Sequence, residues 1–404
     1  MKEAPNWEAA EMEIGEVSVF RRTFHWGTGF AYIVITIVGS VTTFFSSQWL
    51  RIDTIEGFLN LIVFLTWNFL TMMNLFSASY FGPGYVRRNW RPKNGEHEEY
   101  LQFCQPCQGF KVARSHHCSK CNRCCMKMDH HCPWINNCVG HRNHGFFIRF
   151  LFFAIIGCIH ALIIDFNAGY YAMFAGWYLR YGNGTEPIII LTPVSFIALI
   201  MALALAMAIT IALTILLAAQ MKYVVKNMNA IEEYIDGKAK NIRKNMAEYE
   251  QEEESERIPE WIYPYDLGWK TNVRQVFGSF LDSRTPGNGT WWPVRDDCNQ
   301  FTLTTEQLMQ KQLKRDRAKE LEITESFSAR FCAPMRFGWR VFVRQPIVEG
   351  KMLRVTEGEK IVGTRGTQGW IYCYRQTNSA EKGWVPMACT NYRPPTKNEE
   401  KKEN

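Results

Sequence analysis

Four long apolar runs constrain this chain more than any other feature. They cover about Phe30–Trp49, Gly57–Phe81, Phe146–Phe174 and Ile188–Ala219, and roughly 20 apolar residues suffice for a helix to cross a bilayer. Helices of soluble proteins keep a polar face. These runs keep none, which sets aside the alternative of buried helices in a soluble protein. The fourth run is longer than a bilayer requires, so it tilts or projects beyond the membrane. Aromatic residues at 14% and charged residues at 21% fit membrane segments joined to soluble ones. The first 28 residues are acidic and polar (KEAPNWEAAEMEIGE) and hold no apolar core, so no cleavable signal peptide is expected.

The basic residues orient the spans. The loop between runs two and three carries Arg87, Arg88, Arg91, Lys93, Lys111, Arg114, Lys120, Arg123, Lys127 and Arg142, whereas the other two loops carry Arg51 and Arg180. Lys222, Lys226, Lys238, Lys240, Arg243 and Lys244 follow run four. Positive residues stay on the cytosolic side, so the long loop and both termini are expected there. Of two sequons, Asn183-Gly-Thr185 falls in a lumenal loop and Asn288-Gly-Thr290 in the cytosolic tail, so only Asn183 is expected to carry glycan. His160 and Asp165 stand inside run three. Ionisable groups in a membrane are functional candidates, but a bundle-facing role is preferred here.

Eight of the thirteen cysteines crowd the long loop, in the order C-x2-C-x9-HC-x2-C-x2-C-x4-DHHC-x5-C from Cys104. Cysteines two residues apart, with histidine beside them, suit tetrahedral zinc, and a cytosolic loop argues against disulfides. Two zinc ions with Cys₃His ligand sets would use six cysteines and two histidines. Two thiols then remain, and Cys125 and Cys132 are the ones that break the rhythm. Nucleic-acid binding by the zinc loop is set aside, because the loop is tethered at both ends by spans and no recognition helix follows. A thiol is mostly protonated at neutral pH, and a neighbouring imidazole oriented by a carboxylate can activate it. Asp129, His130 and Cys132 supply that set. On an extended segment His130 and Cys132 share a face, and His131 points the other way, toward a metal.

Asp129-His130-His131-Cys132-Pro133-Trp134, followed by Asn137-Cys138-Val139-Gly140 and by Asn143 and Phe147, resembles the DHHC family of protein S-acyltransferases (palmitoyltransferases). With its β-rich tail, the chain is most similar to the endoplasmic-reticulum branch that carries an SH3-like domain. The resemblance implies two structural zinc ions. Cys104, Cys107, His117 and Cys124 would hold one, and Cys118, Cys121, His131 and Cys138 the other. It implies Cys132 as nucleophile, His130 as general base and Asp129 as its orienting carboxylate. Acyl-CoA, palmitoyl-CoA above all, would be the donor, with Lys111, Arg114 and His116 at its phosphates. The acceptors would be cytosolic cysteines of membrane-associated proteins.

The chain departs from the family at three places. Gly82-Pro83-Gly84 replaces Asp-Pro-Gly. Asn229-Ala230-Ile231-Glu232 keeps only the glutamate of Thr-Thr-x-Glu. Val112 stands near the place of the usual proline before Arg114. Asn272 resembles the asparagine of the family's C-terminal motif and is read as structural.

Past run four, Met246–Arg257 and Gln310–Lys319 read as solvated helix faces. Short Val/Ile/Trp/Tyr runs from Ser326 to Tyr392, separated by turn residues, predict a small antiparallel β-barrel. It resembles an SH3 domain, with a diverging turn at Glu349–Val355, a Trp-bearing strand at Gly369–Arg375, and Gly383-Trp384-Val385-Pro386 before a 3₁₀ turn. Trp370, Pro386 and Tyr392 would then form a ridge for a polyproline partner protein, although Ala329–Ala333 lacks the usual opening motif. Cys332 and Cys373 offer acylation sites, but small core residues is the preferred reading. Lys401 and Lys402 read as a dilysine retrieval signal.

The expected architecture is an α-helical membrane protein with four transmembrane helices, a cytosolic two-zinc cysteine-rich domain and a small C-terminal all-β SH3-like barrel. Its parts are a cytosolic N-terminus (1–29), spans one and two (30–81), the zinc domain (82–145), spans three and four (146–219), a cytosolic segment (220–325), the barrel (326–394) and the tail (395–404). The competing class is a catalytically idle membrane adaptor whose zinc loop is only scaffold. A scaffold has no need of a spare thiol beside Asp129 and His130.

Overall fold

The structure, a computed structural model, describes residues 25–249, 260–278, 285–330, 332–346, 351–378 and 381–392. The dilysine pair Lys401 and Lys402 lies outside them, as does most of the acidic run. The chain forms two compact units. One holds residues 1–240 and 259–305, the other 241–258 and 306–404. The segment 220–325 is therefore shared between them.

In the first unit four helices are long and apolar enough to cross a membrane: α1 (Trp26–Trp49), α2 (Ile55–Phe81), α3 (His144–Met173) and, after the short α4 (Ala175–Tyr181), α5 (Pro193–Val225). Phe69, Phe166, Val194 and Ile215 are exposed on their outer faces, the arrangement lipid requires. Inside, Ala161 and Ala168 of α3 and Ala202 and Ala206 of α5 are fully buried, and such small residues let membrane helices approach closely. The fourth span starts later than its apolar run, because Thr192 caps it. Thr192 Oγ1 accepts from the Ser195 amide at 3.2 Å and the Thr192 amide donates to Ser195 Oγ at 2.9 Å. It continues past the run to Val225 and carries the polar Gln220 on its last turns.

The ionisable residues of α3 face the bundle. Asp165 is completely buried and accepts from Thr42 Oγ1 at 2.8 Å. His160 Nε2 meets Asn60 Oδ1 at 3.0 Å, and Asn60 in turn donates to Ser46 at 2.9 Å.

The loop between α2 and α3 folds into three hairpins, β1–β2 (Phe103–Cys104, Gly109–Phe110), β3–β4 (His116–Cys118, Arg123–Cys125) and β5–β6 (His130–Cys132, Asn137–Val139). Gly82-Pro83-Gly84 is woven into it: the Met126 amide donates to Gly84 O at 2.9 Å and the Arg142 amide to Pro83 O at 3.1 Å. After α5 come α6 (Ala230–Tyr249) and α7 (Trp269–Phe277), then α8 (Thr302–Asp316). Asn272 of α7 is buried and donates to Val225 O at 2.7 Å, closing the end of α5. Asn288 caps its own turn, accepting from the Thr290 amide at 3.0 Å and the Thr290 hydroxyl at 2.8 Å.

The second unit is built on a four-stranded antiparallel sheet, β7 (Lys319–Glu322), β8 (Lys360–Thr367), β9 (Trp370–Arg375) and β10 (Lys382–Pro386), in spatial order β10-β9-β8-β7. Bridges Phe327↔Val355, Met352↔Trp384 and Ile323↔Thr390 fold the flanking segments over it. A 3₁₀ turn (Met387–Cys389) follows Pro386. The core holds Phe327, Ile361, Trp370, Cys373, Trp384 and Val385. Two expectations change here. Trp370 is 0% exposed and Pro386 is buried, so the polyproline ridge expected from Trp370, Pro386 and Tyr392 is not on the surface. The reason is that the short helix α9 (Trp339–Val343) covers Trp370, whose indole N–H donates to Val341 O at 3.0 Å. Cys373 is a core residue, but Cys332 is exposed.

Candidate active site

Alternation along the hairpin strands sorts the ligand-bearing residues. His117 and Cys118 are neighbours on β3, so their side chains leave opposite faces, and the two residues fall in different clusters. Cys104, Cys107, His117 and Cys124 converge in one; Cys118, Cys121, His131 and Cys138 converge in the other, with one ligand atom from each residue and all four within 4.8 Å of one another. The donor set fits zinc. Tetrahedral zinc with bonds of about 2.3 Å to sulfur and about 2.0 Å to nitrogen spaces its ligand atoms roughly 3.5–3.8 Å apart. His117 Nδ1 lies 3.5 and 3.3 Å from Cys104 and Cys107 Sγ. His131 Nδ1 lies 3.7, 3.3 and 3.7 Å from Cys118, Cys121 and Cys138. Zinc at these points would cross-link the hairpins of the loop.

The hairpins are copies of one unit. Cys104, Cys118 and Cys132 stand 14 residues apart, and HHCSKCNRC (116–124) aligns with HHCPWINNC (130–138) and, more loosely, with QFCQPCQGF (102–110). Gln108, Asn122 and Asn136 occupy the same place in each copy and all adopt positive φ, at 52°, 51° and 46°. Each cluster takes the C-x2-C pair of one copy and the His and last Cys of the next. The third copy has Cys132 but puts Ile135 where the second cysteine of the pair would be. A fourth copy would supply its ligands from positions 145 and 152, which are Gly145 and Phe152 inside α3. Cys132 is therefore the unmatched end of a metal-binding ladder. This 14-residue repeat gives a physical reason for the free thiol that the ligand count leaves over.

On β5, His130 and Cys132 share the face opposite His131, and both line one apolar cavity of about 620 Å³. The cavity runs between the spans. From Phe147 to Cys158 along α3 its wall is about 16 Å long. Its two amide and hydroxyl side chains turn back to their own helix: Asn68 donates to Phe64 O at 3.1 Å and Thr71 to Trp67 O at 2.7 Å. At the mouth Trp134 packs on Trp26 and Phe30. Gly27 passes so close to Pro133 that a Cβ there would lie 2.2 Å from its carbonyl oxygen.

Asp129 Oδ2 lies 2.7 Å from His130 Nδ1, which leaves Nε2 as the basic nitrogen when the ring is neutral. Burial opposes the charge on His130, but the bond to Asp129 and the influence of nearby Cys132 outweigh burial and raise its pKa to about 9. Burial alone would raise the pKa of Asp129. The His130 bond, the neighbouring imidazoles and the Ala230 amide hold it below the usual carboxylate range instead. Two further contacts fix this carboxylate. The Ala230 amide, in the first turn of α6, donates to Oδ1 at 3.0 Å, the favourable end of a helix for an anion. Gln220 of α5 donates to Oδ2 at 3.0 Å and accepts from His144 Nε2 at 2.8 Å.

Gln220→Ala is expected to slow acyl-enzyme formation by on the order of tenfold, the loss of about one net buried hydrogen bond. Single-turnover labelling with palmitoyl-CoA measures it, and half-saturation by the donor is expected to stay unchanged.

Lys111 and His116 are partly exposed. Arg114, grouped with them at the donor phosphates, is buried with a side chain 0% exposed. Every nitrogen of its guanidinium is engaged, Nε and one terminal nitrogen on Glu232 at 2.7 Å each, and the other on Asn227 Oδ1 at 3.3 Å. It stacks on Tyr265 and Trp292. Burial works against both charges, yet Glu232 holds the Arg114 pKa up and Arg114 holds that of Glu232 down. Lys127 joins the cluster through Asn227 Oδ1 at 2.7 Å. Asn229 and Glu232 close a capping box at the start of α6: the Glu232 amide donates to Asn229 Oδ1 at 2.9 Å and the Asn229 amide to Glu232 Oε2 at 3.1 Å. Cys125, left over by the ligand count, is fully buried and donates to Arg123 O at 3.8 Å.

A buried thiol beside an imidazole–carboxylate pair, opening on a lipid-sized apolar cavity between four spans, defines a membrane-embedded acyl-transferring enzyme. The comparisons agree. A family model for DHHC palmitoyltransferases matches residues 97–237. The chain is 39% identical over 389 residues to palmitoyltransferase ZDHHC6 of Danio rerio, covering 91% of each. It is 37% identical over 390 residues to the Homo sapiens protein of that name, again covering 91% of each. Probable protein S-acyltransferase 13 of Arabidopsis thaliana is 29% identical over 272 residues, 62% of this chain and 78% of that one. The chain belongs to the DHHC palmitoyltransferase family and is a multi-pass protein S-acyltransferase that uses acyl-CoA.

Proposed function

We propose that Cys132 is the nucleophile, His130 the general acid–base and Asp129 the carboxylate that orients it. The observation that carries this reading is that Cys132 lies outside both Cys₃His clusters, on the wall of the same cavity as His130. Cys132 Sγ attacks the thioester carbonyl of the donor. The bond to the CoA sulfur breaks, and the proton taken by His130 Nε2 returns to the CoA thiolate. The acyl chain, now on Cys132, occupies the apolar cavity. An acceptor cysteine then attacks the Cys132 thioester, passes its proton through His130 to the leaving Cys132 sulfur, and departs acylated. Water is kept out by the cavity wall, so transfer outcompetes hydrolysis.

Lys111 and His116, both half-buried, are the groups of the expected set placed at the donor's phosphates, and Arg114 serves as an internal strut. The acceptors are cytosolic cysteines of membrane-associated proteins. The second unit is an SH3-like barrel, supported by its strand order and its 3₁₀ turn after Pro386. The distribution of basic residues supports cytosolic termini, and the family resemblance with the dilysine pair Lys401 and Lys402 supports the endoplasmic-reticulum membrane.

The test is incubation of purified protein with labelled palmitoyl-CoA. Wild type is expected to take up hydroxylamine-sensitive label and Cys132→Ala none. Equal labelling of the two would favour the idle adaptor.

A further inference from the structure

Residues 333–344 of the second unit form an amphipathic strip. A 3₁₀ turn (Ala333–Phe337) leads through Gly338 into α9. The inner side is fixed to the core. Pro334 is buried, Phe337 lies edge-on to Phe327 at 6.0 Å, and the Val341 carbonyl accepts the Trp370 indole N–H at 3.0 Å. The outer side is different. Met335, Trp339 and Val343 are 49%, 66% and 61% exposed. Each stands four residues from the next, so Trp339 and Val343 share one face of α9. Each is followed by an arginine: Arg336, Arg340 and Arg344. Arg336 pairs with Glu325. Arg340 and Arg344 are exposed and have no acidic partner among the described residues.

We propose that this strip docks the second unit on the surface of an anionic bilayer. Trp339, flanked by Met335 and Val343, enters the headgroup region, where an indole is at home with one apolar side and one polar edge. Arg340 and Arg344 meet lipid phosphates, which a guanidinium fork fits in pairs of hydrogen bonds. Two observations favour lipid over a peptide. Of the residues that would make a polyproline ridge, Trp370 is 0% exposed beneath this same segment and Pro386 is buried as well. The chain also crosses the bilayer through four spans, so lipid is present at high effective concentration whatever the intrinsic affinity. Two unpaired cations beside three apolar side chains match an anionic interface, where each basic residue near the surface adds to binding and salt weakens it.

Trypsin reads this directly, because it cleaves after Arg340 and Arg344. The full-length protein is placed in nanodiscs of phosphatidylcholine alone, or with about 30 mol% phosphatidylserine. Cleavage at these two sites is expected to slow by on the order of tenfold in the anionic discs and to recover in about 0.5 M salt. Trp339→Ser with Val343→Ser, both outward-facing, should cleave equally fast in both discs while keeping wild-type palmitoyl-CoA labelling. Arg340→Lys with Arg344→Lys keeps the charge and the trypsin sites and should retain part of the protection. Equal cleavage of wild type in the two discs overturns the proposal. So does protection that appears only when a proline-rich peptide is added to neutral discs.

Discussion

Ile135→Cys is expected to turn Cys132 from a nucleophile into a metal ligand. The substitution completes the C-x2-C pair of the third hairpin at the place held by Cys107 and Cys121 in the first two. Asn136 already adopts the positive φ that Gln108 and Asn122 show at the ends of the other two turns. Both thiolates would then point at one ion, with His130 beside Cys132 as a third donor. A thiolate committed to metal is not free to attack a thioester. Labelling by palmitoyl-CoA should fall by on the order of a hundredfold or more, and bound zinc should rise by one per chain.

Ile135 is fully buried among Leu75, Val139 and Phe147, so the control must respect its packing. Ile135→Val removes one methylene at a cost of roughly 1 kcal/mol and offers no ligand. It should label almost as wild type does. A loss in Ile135→Cys that reductant reverses, with no gain in zinc, would identify a disulfide to Cys132. That outcome, or activity equal to Ile135→Val, would remove the ladder account of why this thiol is free.

The fold was legible where one interaction dominates. Apolar length alone located four spans, and the structure moves their ends by a few residues through local groups such as the Thr192 cap and the polar last turns of α5. Turn residues and β-branched runs located three of the sheet's four strands, whereas β7 (Lys319–Glu322) lies before the expected start at Ser326. Ligand spacing and family resemblance supplied the two Cys₃His sets that the hairpins bring together. What the sequence did not disclose are contacts between distant positions. Nothing local marks Gln220 or Ala230 as partners of Asp129, because each contact arises only when α5 and α6 return to the hairpins. Arg114 misled for the same reason. The family resemblance sets it at the donor's phosphates, and only the fold shows that Glu232 holds its guanidinium. In the sequence Trp370 reads as part of a binding ridge, because no local pattern reveals that α9 covers it.

Arg114→Ala separates these two roles of arginine and carries the largest stability effect expected here. A phosphate contact, once removed, raises the donor concentration needed for half-saturation and leaves the fold intact. A buried ion pair, once broken, strands its partner. Glu232 has a side chain 0% exposed, and an unpaired charge so placed costs about 3–5 kcal/mol. The damage should spread along the contacts of Glu232. Its capping box starts α6, and the first turn of α6 presents the Ala230 amide to Asp129. Arg114→Ala is therefore expected to lower the thermal midpoint, measured in detergent with a thiol-reactive dye, and to reduce the labelled fraction in proportion to folded protein. The molecules that remain folded should keep the wild-type donor half-saturation. Arg114→Met with Glu232→Gln removes both charges at similar volume and should recover much of the lost stability, since neither partner is left as a buried ion. A normal midpoint with a raised half-saturation would return Arg114 to the donor site and undo the strut.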